Sequence, residues 1–157
     1  MTAEILPLGL RPDLVPVLAD ALRDAWPEWY GVQPRDQTVE EMQARAQVDA
    51  LPLALVALED GELAGTAALD FASIPTHAHL SPWLVGLWVA PAHRRRGLGG
   101  RLVAACRAQA AMLGVDELHA ATADSGSLFR ADGWEVIDTA ELDAHPGARI
   151  EVFRRRP

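Results

Sequence analysis

The sequence has one cysteine, no lysine and no long apolar run, and these absences narrow the class of protein. A single thiol excludes a disulfide framework, so an oxidising compartment is not required. Cys106 falls on the apolar stripe of a predicted helix, which indicates a core residue. The apolar runs are too short to cross a membrane, and the N-terminus lacks the basic and then apolar pattern of a signal peptide. We therefore expect a cytoplasmic protein that does not act at a membrane.

One segment of the chain lacks carboxylates. Residues 71–115 contain five arginines and no Asp or Glu, whereas residues 1–70 contain four arginines and thirteen carboxylates, and the whole chain has a net charge of −8. A basic block inside an acidic protein suits one polyanionic ligand and a second ligand that is neutral or cationic. This distribution argues against nucleic acid as a partner.

The basic block has the pattern of a strand, a glycine turn and a helix. Trp83 to Ala90 is an apolar run that Pro91 ends, and three arginines and Gly97-Leu98-Gly99-Gly100 follow it. Apolar residues at helical spacing come next: Leu102, Val103, Cys106, Ala110 and Leu113. Glycines at the first turn of a helix let a ligand approach the unpaired N–H groups, so the turn is typical of a phosphate site. The alternative is an Arg-Gly turn that only begins a surface helix.

Two common phosphate loops do not fit this turn, because it lacks both the lysine of a P-loop and the spacing of a dinucleotide fingerprint. The segment Arg94-Arg95-Arg96-Gly97-Leu98-Gly99, with Val89 and Pro91 before it, instead resembles the acyl-CoA loop of the GNAT family of N-acetyltransferases. That loop reads Arg/Gln-x-x-Gly-x-Gly/Ala after a strand ending in Val-x-Pro.

The resemblance implies one GNAT domain over residues 1–157, with an α/β (α+β) fold. Its sheet is mixed and mostly antiparallel, with a central splayed pair of parallel strands and helices on both faces. The sequence pattern agrees along nearly the whole chain, and Thr38 with Glu41 predicts a capping box for the second helix. The predicted strands are residues 3–8, 51–58, 63–71, 83–90, 117–122, 134–139 and 149–155, the last two joined through 143–147. The predicted helices are one that begins at Pro12 or Pro16 and runs towards Trp26, one from Thr38 through Val48, one ending at Gly114, and 125–132.

The resemblance also implies acetyl-CoA as co-substrate. Backbone groups of Leu87 and Val89 would hold the pantetheine arm, and the Val89 N–H would donate to the thioester oxygen as charge develops there. The expected pyrophosphate site comprises Arg94, Arg95, Arg96, Gly97, Leu98, Gly99, Gly100 and Arg101.

The sequence departs from the family at both usual acid–base positions. Phe129 stands where many members have a tyrosine that protonates the thiolate, so its ring can pack against the arm but cannot give a proton. The strand before the loop also lacks the glutamate that serves many members as a base. His119, Glu28 and His79 are candidate substitute bases, the last two acting through water, although packing within the sheet explains His119 better than catalysis does.

The acceptor site is predicted from aromatic and polar residues outside the loop. The candidates are Trp26, Trp29, Tyr30, His79 and Trp83, although each tryptophan also suits the core, as does Trp88. No metal is expected, because His77 and His79 have no third ligand at a diagnostic spacing.

These features predict transfer of an acetyl group to a primary amine of a small molecule or a peptide N-terminus, by direct attack in a ternary complex. Short matches to members that act on peptide N-termini occur at Trp26-Pro27, Leu118-His119 and Phe129 to Trp134. The alternative is an acyl-CoA-binding sensor with little or no turnover, which the missing acid and base favour. A homodimer is compatible with the sequence.

Overall fold

In the part of the chain that the structure describes, seven strands form one sheet and four α-helices cover its two faces. The computed structural model describes residues 3–143 and 145–157. The strands are β1 (Glu4–Pro7), β2 (Leu53–Glu59), β3 (Glu62–Asp70), β4 (Trp83–Val89), β5 (Leu118–Thr122), β6 (Glu135–Leu142) and β7 (His145–Arg155), and the helices are α1 (Val15–Ala25), α2 (Arg35–Ala44), α3 (Leu98–Met112) and α4 (Gly126–Ala131).

The sheet order is β1-β2-β3-β4-β5-β7-β6, and the β4–β5 pair is parallel while the other pairs are antiparallel. This arrangement confirms the predicted mixed sheet with a central parallel pair. Two strands that run in the same direction need a crossover, and α3 supplies it between β4 and β5.

Strand β2 shows how the sequence places a core on each side of the sheet. Its residues are almost all buried, and alternate side chains belong to different clusters. Leu53 and Leu55 pack with the α3 and α4 side, whereas Ala54 and Val56 pack with α1 and α2. Because successive side chains of a strand point to opposite faces, a continuous apolar run indicates a strand covered on both sides.

Cys106 is fully buried on α3, and burial raises the pKa of its thiol to about 12. The core position predicted for it is confirmed. Among the described residues, no helix combines the length and the apolar character needed to cross a bilayer.

The predicted start of the second helix is wrong. Helix α2 begins at Arg35 rather than after Thr38, and Pro34 precedes its first turn. Thr38 lies inside the helix and is buried, and its hydroxyl accepts a hydrogen bond from Gln33 Nε2 at 2.9 Å. Pro34 occupies the N-cap position and no side chain caps the helix, so the Thr38 and Glu41 pattern misled the prediction.

The closing strands are longer than predicted, with β6 reaching Leu142 and β7 beginning at His145. The connection was expected over residues 143–147, of which residue 144 lies outside the described residues. Pairing of Leu142 with His145 shows that the hairpin continues almost to its turn.

Candidate functional site

The parallel strands β4 and β5 separate after a short contact. They pair only at Trp83 with His119 and at Leu84 with Ala120, and the His119 N–H donates to Pro82 O at 3.1 Å. Beyond this point a cleft of about 620 Å³ opens between the strands. The residues of β4 and β5 that line it are Leu84, Val85, Gly86, Leu87, Ala121 and Thr122.

A bulge in β4 faces this cleft. Thr66 pairs with Trp88 and Ala68 pairs with Val85, so Gly86 and Leu87 together oppose one residue, Ala67. Gly86 has φ +63°, a conformation that glycine adopts without steric cost. The extra residue turns part of the backbone of β4 away from β3 and towards the cleft.

The backbone groups of Val89 face the open edge of β4. The Ala90 N–H donates to Ala64 O on β3 at 2.8 Å, so the preceding residue points to the other side. Arg94 Nε reaches that side and donates to Val89 O at 2.9 Å. The Val89 N–H therefore lies on the same edge, which is the orientation that the predicted contacts with the thioester and its arm require.

The N-terminus of α3 opens at one end of this edge. Gly97 precedes the helix with φ +77°, no side chain caps it, and the first turn contains no carboxylate. A Cβ atom at Gly97 or Gly100 would meet no atom within 4 Å. Unpaired N–H groups under the positive end of the helix dipole, with open space before them, can bind a pyrophosphate.

The four loop arginines have different surroundings. Arg96 Nη1 lies 3.0 Å from Glu59 Oε1, and Arg101 Nη2 donates to Ala3 O at 2.8 Å. Arg94 binds Val89, as described above. Arg95 is exposed at φ +64°, and it makes no hydrogen bond or ion pair within the described part of the chain. Arg95 is therefore the arginine of this run best able to turn towards a phosphate.

Glu59 ties the loop to the end of β2. His93 Nδ1 lies 2.7 Å from Glu59 Oε2, and the other carboxylate oxygen binds Arg96. The hydrogen bond with His93 holds the pKa of Glu59 below its usual value, and the charge of Arg96 acts in the same direction. The loop before α3 is thus fixed from the β2–β3 hairpin.

Phe129 forms the wall of the cleft on the α4 side. It is buried, with its ring 5.1 Å from that of Trp134 and 5.4 Å from that of Phe153, and it lines the cleft. Ser125 lies one helical turn earlier and lines the same cleft. The ring is therefore fixed where the resemblance puts a tyrosine.

Aromatic residues line the opposite side, in the connection between α1 and α2. Trp26, Trp29 and Tyr30 all face the cleft, and the rings of Trp26 and Tyr30 stack at 6.2 Å. Arg23 holds this connection in place, since its Nη1 donates to Tyr30 O at 2.8 Å and to Gln33 O at 2.6 Å. Trp29 is 48% exposed, which leaves its ring accessible to a ligand.

Three carboxylates and one guanidinium give the cleft its charge. The carboxylates belong to Glu28, Glu41 and Asp124, and the guanidinium to Arg45. Glu41 accepts from Gln33 Nε2 at 3.2 Å, and Asp124 accepts from the hydroxyls of Thr122 and Ser125. An amine that enters as a cation would be attracted to this side.

Val89 and the loop residues of the predicted cofactor site lie outside the cleft lining, and so do three of the predicted base and acceptor-site residues. His119 is buried, with Nδ1 3.1 Å from Pro82 O and Nε2 3.1 Å from Glu117 Oε1. Trp83 is fully buried and donates from Nε1 to Leu80 O at 2.8 Å. The exposed ring of His79 stacks on His77 at 5.8 Å. A catalytic role for His119 and a substrate role for His79 or Trp83 remain predictions.

Sequence reasoning missed Arg45, Glu41 and Asp124. Arg45 and Glu41 lie on the α2 side in an ordinary polar pattern, and only the fold brings them to β4. The Thr122-x-Asp124-Ser125 run after β5 was a usable signal, since polar residues that follow a central strand often line a site. Residues 3–143 and 145–157 contain no group of three or more His, Cys, Asp or Glu able to hold a metal ion.

Comparison with known proteins agrees with this geometry. The family model described as "Acetyltransferase (GNAT) family" matches residues 17–129. Among curated proteins, none matches the chain.

Solved structures share the fold. An aminoglycoside 6'-acetyltransferase of type Ii is similar at 21% identity and a TM-score of 0.75, over 98% of this chain and 96% of that one. An aminoglycoside 6'-N-acetyltransferase complexed with coenzyme A has 18% identity and a TM-score of 0.73, over 92% and 91%. A Salmonella typhimurium protein with its cofactor acetyl-CoA has 19% identity and a TM-score of 0.62, over 79% and 74%. At such low identity these likenesses establish the fold alone.

Proposed function

The chain belongs to the GNAT family of acetyltransferases, and from that premise we propose that residues 1–157 form one catalytic domain that acetylates a primary amine. Acetyl-CoA is the acetyl donor, and the acceptor is a small molecule or a peptide. One observation carries the proposal: the gap between β4 and β5 has an open helix N-terminus at one end and a carboxylate-lined aromatic cleft at the other.

The residues around the gap fit acetyl-CoA. The N–H groups from Arg95 to Gly100 are available to the pyrophosphate, and Arg95 can add charge from the surface. The open edge of β4 at Leu87 and Val89 suits the amide groups of the pantetheine arm. Phe129 closes the other side with an apolar ring.

Acetyl-CoA supplies the acetyl group as an activated thioester. The amine nitrogen forms a bond to the acyl carbon while the carbon–sulfur bond breaks, and the Val89 N–H stabilises the charge on the carbonyl oxygen. The proton of the amine leaves through Glu28, which lines the cleft, or through water. The thiolate leaves without a tyrosine to protonate it, which its pKa of about 8.5, by analogy with cysteine, allows.

The acceptor must be neutral when it attacks. A lysine-like amine with a pKa of about 10.4 is neutral in roughly one molecule in 2,500 at pH 7, whereas an α-amine at about 7.7 to 8.0 is neutral in roughly one in ten. The missing strand glutamate therefore favours α-amines and weakly basic arylamines.

Release of free CoA thiol tests the proposal. The protein is incubated with acetyl-CoA and a panel of α-amines, alkylamines, amino sugars and short peptides, with an amine-free sample as control for hydrolysis. We expect thiol release that depends on the amine. Release equal to the amine-free control with every acceptor contradicts catalysis.

The second candidate is an acyl-CoA sensor, which the phenyl ring at residue 129 favours. A sensor binds acetyl-CoA in calorimetry and releases no thiol with any acceptor. Binding together with release excludes it.

A further inference from the structure

Arg45 is the one basic residue among the described residues that line the cleft, and its position is fixed by three elements. It follows the last residue of α2, and its carbonyl accepts the Ala54 N–H of β2 at 2.9 Å. Its side chain, only 13% exposed, then crosses β3 and reaches β4. A guanidinium in an amine cleft needs an explanation, because a free positive charge would repel an ammonium group.

Asp70 at the end of β3 balances that charge. Its Oδ2 accepts from Arg45 Nε at 3.2 Å and lies 3.1 Å from Nη2. The carboxylate holds one edge of the planar guanidinium, which fixes the direction of the remaining nitrogen, Nη1. The pair has no net charge, but it keeps an N–H donor with a defined direction.

Nη1 lies at the bulge of β4. A Cβ atom built on Gly86 would be 3.8 Å from it, with nothing else within 4 Å. The residues on either side of Gly86 line the gap in which the acetyl group is expected. The donor on Arg45 therefore lies in the part of the cleft that Val85 and Leu87 line, three residues before Val89 on β4.

We propose that Arg45 is a specificity-determining residue that donates a hydrogen bond to the carbonyl oxygen next to the acceptor amine. The acceptor is then an α-amino carbonyl compound, either a free amino acid or a peptide N-terminus, in preference to a simple alkylamine. This inference rests on the proposed acetyl transfer and names its substrate class.

Two features of the cleft fit such an acceptor. An α-amino carbonyl compound presents its oxygen three bonds from the nitrogen, so one small site can hold both groups. The pairing with Asp70 leaves a neutral donor unit, which binds a carbonyl oxygen without repelling the adjacent amine. An α-amine is also the class that needs the weakest base.

The test compares L-alaninamide with isopropylamine, which has the same branched carbon and lacks the carbonyl group. kcat/KM is measured for both with the wild type, Arg45→Lys and Arg45→Met. Since loss of a hydrogen bond from a charged group costs roughly a tenfold to hundredfold factor, the alaninamide-to-isopropylamine ratio is expected to fall by that amount. Using the ratio removes the pKa difference between the acceptors, which is the same in every variant.

Arg35→Met is the matched control, because Arg35 begins α2, the helix that Arg45 follows, and pairs with Asp20 at 2.7 Å outside the cleft lining. Its ratio should equal that of the wild type. L-alanine distinguishes a free amino acid from a peptide N-terminus as the acceptor. If the Arg45 variants lose more kcat/KM with L-alanine than with L-alaninamide, the acceptor has a free carboxylate; the reverse indicates a peptide N-terminus. Arg45→Lys keeps the charge opposite Asp70, so it provides the measurement if Arg45→Met does not fold.

Equal losses for alaninamide and isopropylamine in the Arg45 variants overturn the inference, because a purely structural arginine affects both acceptors alike. That result leaves the proposed acetyl transfer intact. A wild type that acetylates no amine instead overturns the proposed function, and the inference with it.

Discussion

Gly99 on α3 faces Leu128 on α4 so closely that a Cβ atom at residue 99 would lie 2.9 Å from Leu128 Cδ1. Gly100, the next residue, has open space where its Cβ would be. The two glycines of one turn therefore have different surroundings: a side chain at residue 99 requires Leu128 to move, whereas one at residue 100 enters open space. This difference separates effects on folding from effects on binding.

Gly100→Asp should weaken acetyl-CoA binding with little change in Tm. A negative charge at a helix N-terminus repels a pyrophosphate, and a loss of about 1.4 kcal/mol corresponds to tenfold in Kd. Calorimetry measures the affinity, and Gly100→Asn is the control with the same shape and no charge. Gly99→Asp should abolish binding and also lower Tm, because its side chain meets Leu128. Unchanged affinity in both aspartate variants would remove the loop from the cofactor site.

Phe129→Tyr should fold and keep or raise kcat. The ring packs between Trp134 and Phe153 and also lines the cleft, so an added hydroxyl can face the thioester sulfur and supply a proton. Stopped assays with saturating acetyl-CoA give kcat, and thermal melting gives Tm. Phe129→Ala is the comparison, with an expected stability loss of about 3 to 5 kcal/mol. Acetyl-CoA kinetics unaltered in Phe129→Ala would show that residue 129 lies away from the acyl group.

Asp132→Asn should destabilise the protein. Asp132 follows α4 and accepts from Arg107 Nε at 2.7 Å, Arg107 Nη2 at 3.0 Å and Trp134 Nε1 at 2.9 Å. Because Arg107 loses its charged partner, the free energy of unfolding should fall by about 1 to 3 kcal/mol. Denaturant unfolding at pH 7 measures this change.

The same aspartate makes stability depend on pH. Burial acts to raise the pKa of Asp132, but the hydrogen bonds from Arg107 and Trp134 and the nearby arginine charges outweigh it and hold the pKa below its usual value. A carboxyl with a lowered folded pKa contributes stability above its unfolded pKa of about 4 and loses it as the pH falls through the folded value. The stability difference between wild type and Asp132→Asn should therefore shrink below about pH 4. A difference that stays constant from pH 7 to pH 2 would show that the carboxylate charge contributes nothing.

The pH profile of acetyl transfer should follow the acceptor. With no strong base on the cleft strand, kcat/KM should rise towards the pKa of each amine, and an α-amine should outrun a lysine-like amine at pH 7. Profiles for two amines of different pKa decide this. A break at one shared pKa near that of a histidine or a glutamate would mean that a protein group controls the reaction, and His119→Ala and Glu28→Gln would then show which one.

The sequence was sufficient to predict the sheet and the strand, glycine turn and helix at its centre, because these elements have local signals. The run from Trp83 to Ala90, the proline and the glycine turn lie within one segment, and the burial of β2 on both faces follows directly from its apolar run. The start of α2 was missed because Pro34 and the Thr38 pattern compete, and sequence alone does not decide between two local signals.

The acceptor side could not be predicted to the same depth, because it depends on contacts far apart in the chain. Arg45 pairs with Asp70 on β3 and lies beside the position that a Cβ atom of Gly86 on β4 would take, and no spacing in the sequence indicates this arrangement. His119 was a reasonable base by residue type, but the register of β4 and β5 places its ring against Pro82 and Glu117. Tertiary packing, rather than residue type, decides which polar groups line the cleft.

Transfer of a labelled acetyl group tests the central claim most directly. The wild type is incubated with acetyl-CoA labelled with ¹³C at the acetyl carbonyl and with L-alaninamide, and NMR follows the carbonyl signal. We predict that the thioester signal is replaced by that of an amide on the acceptor nitrogen, at the rate at which free thiol appears. A thioester signal that persists while calorimetry shows bound acetyl-CoA, or one replaced only by acetate, would contradict an N-acetyltransferase.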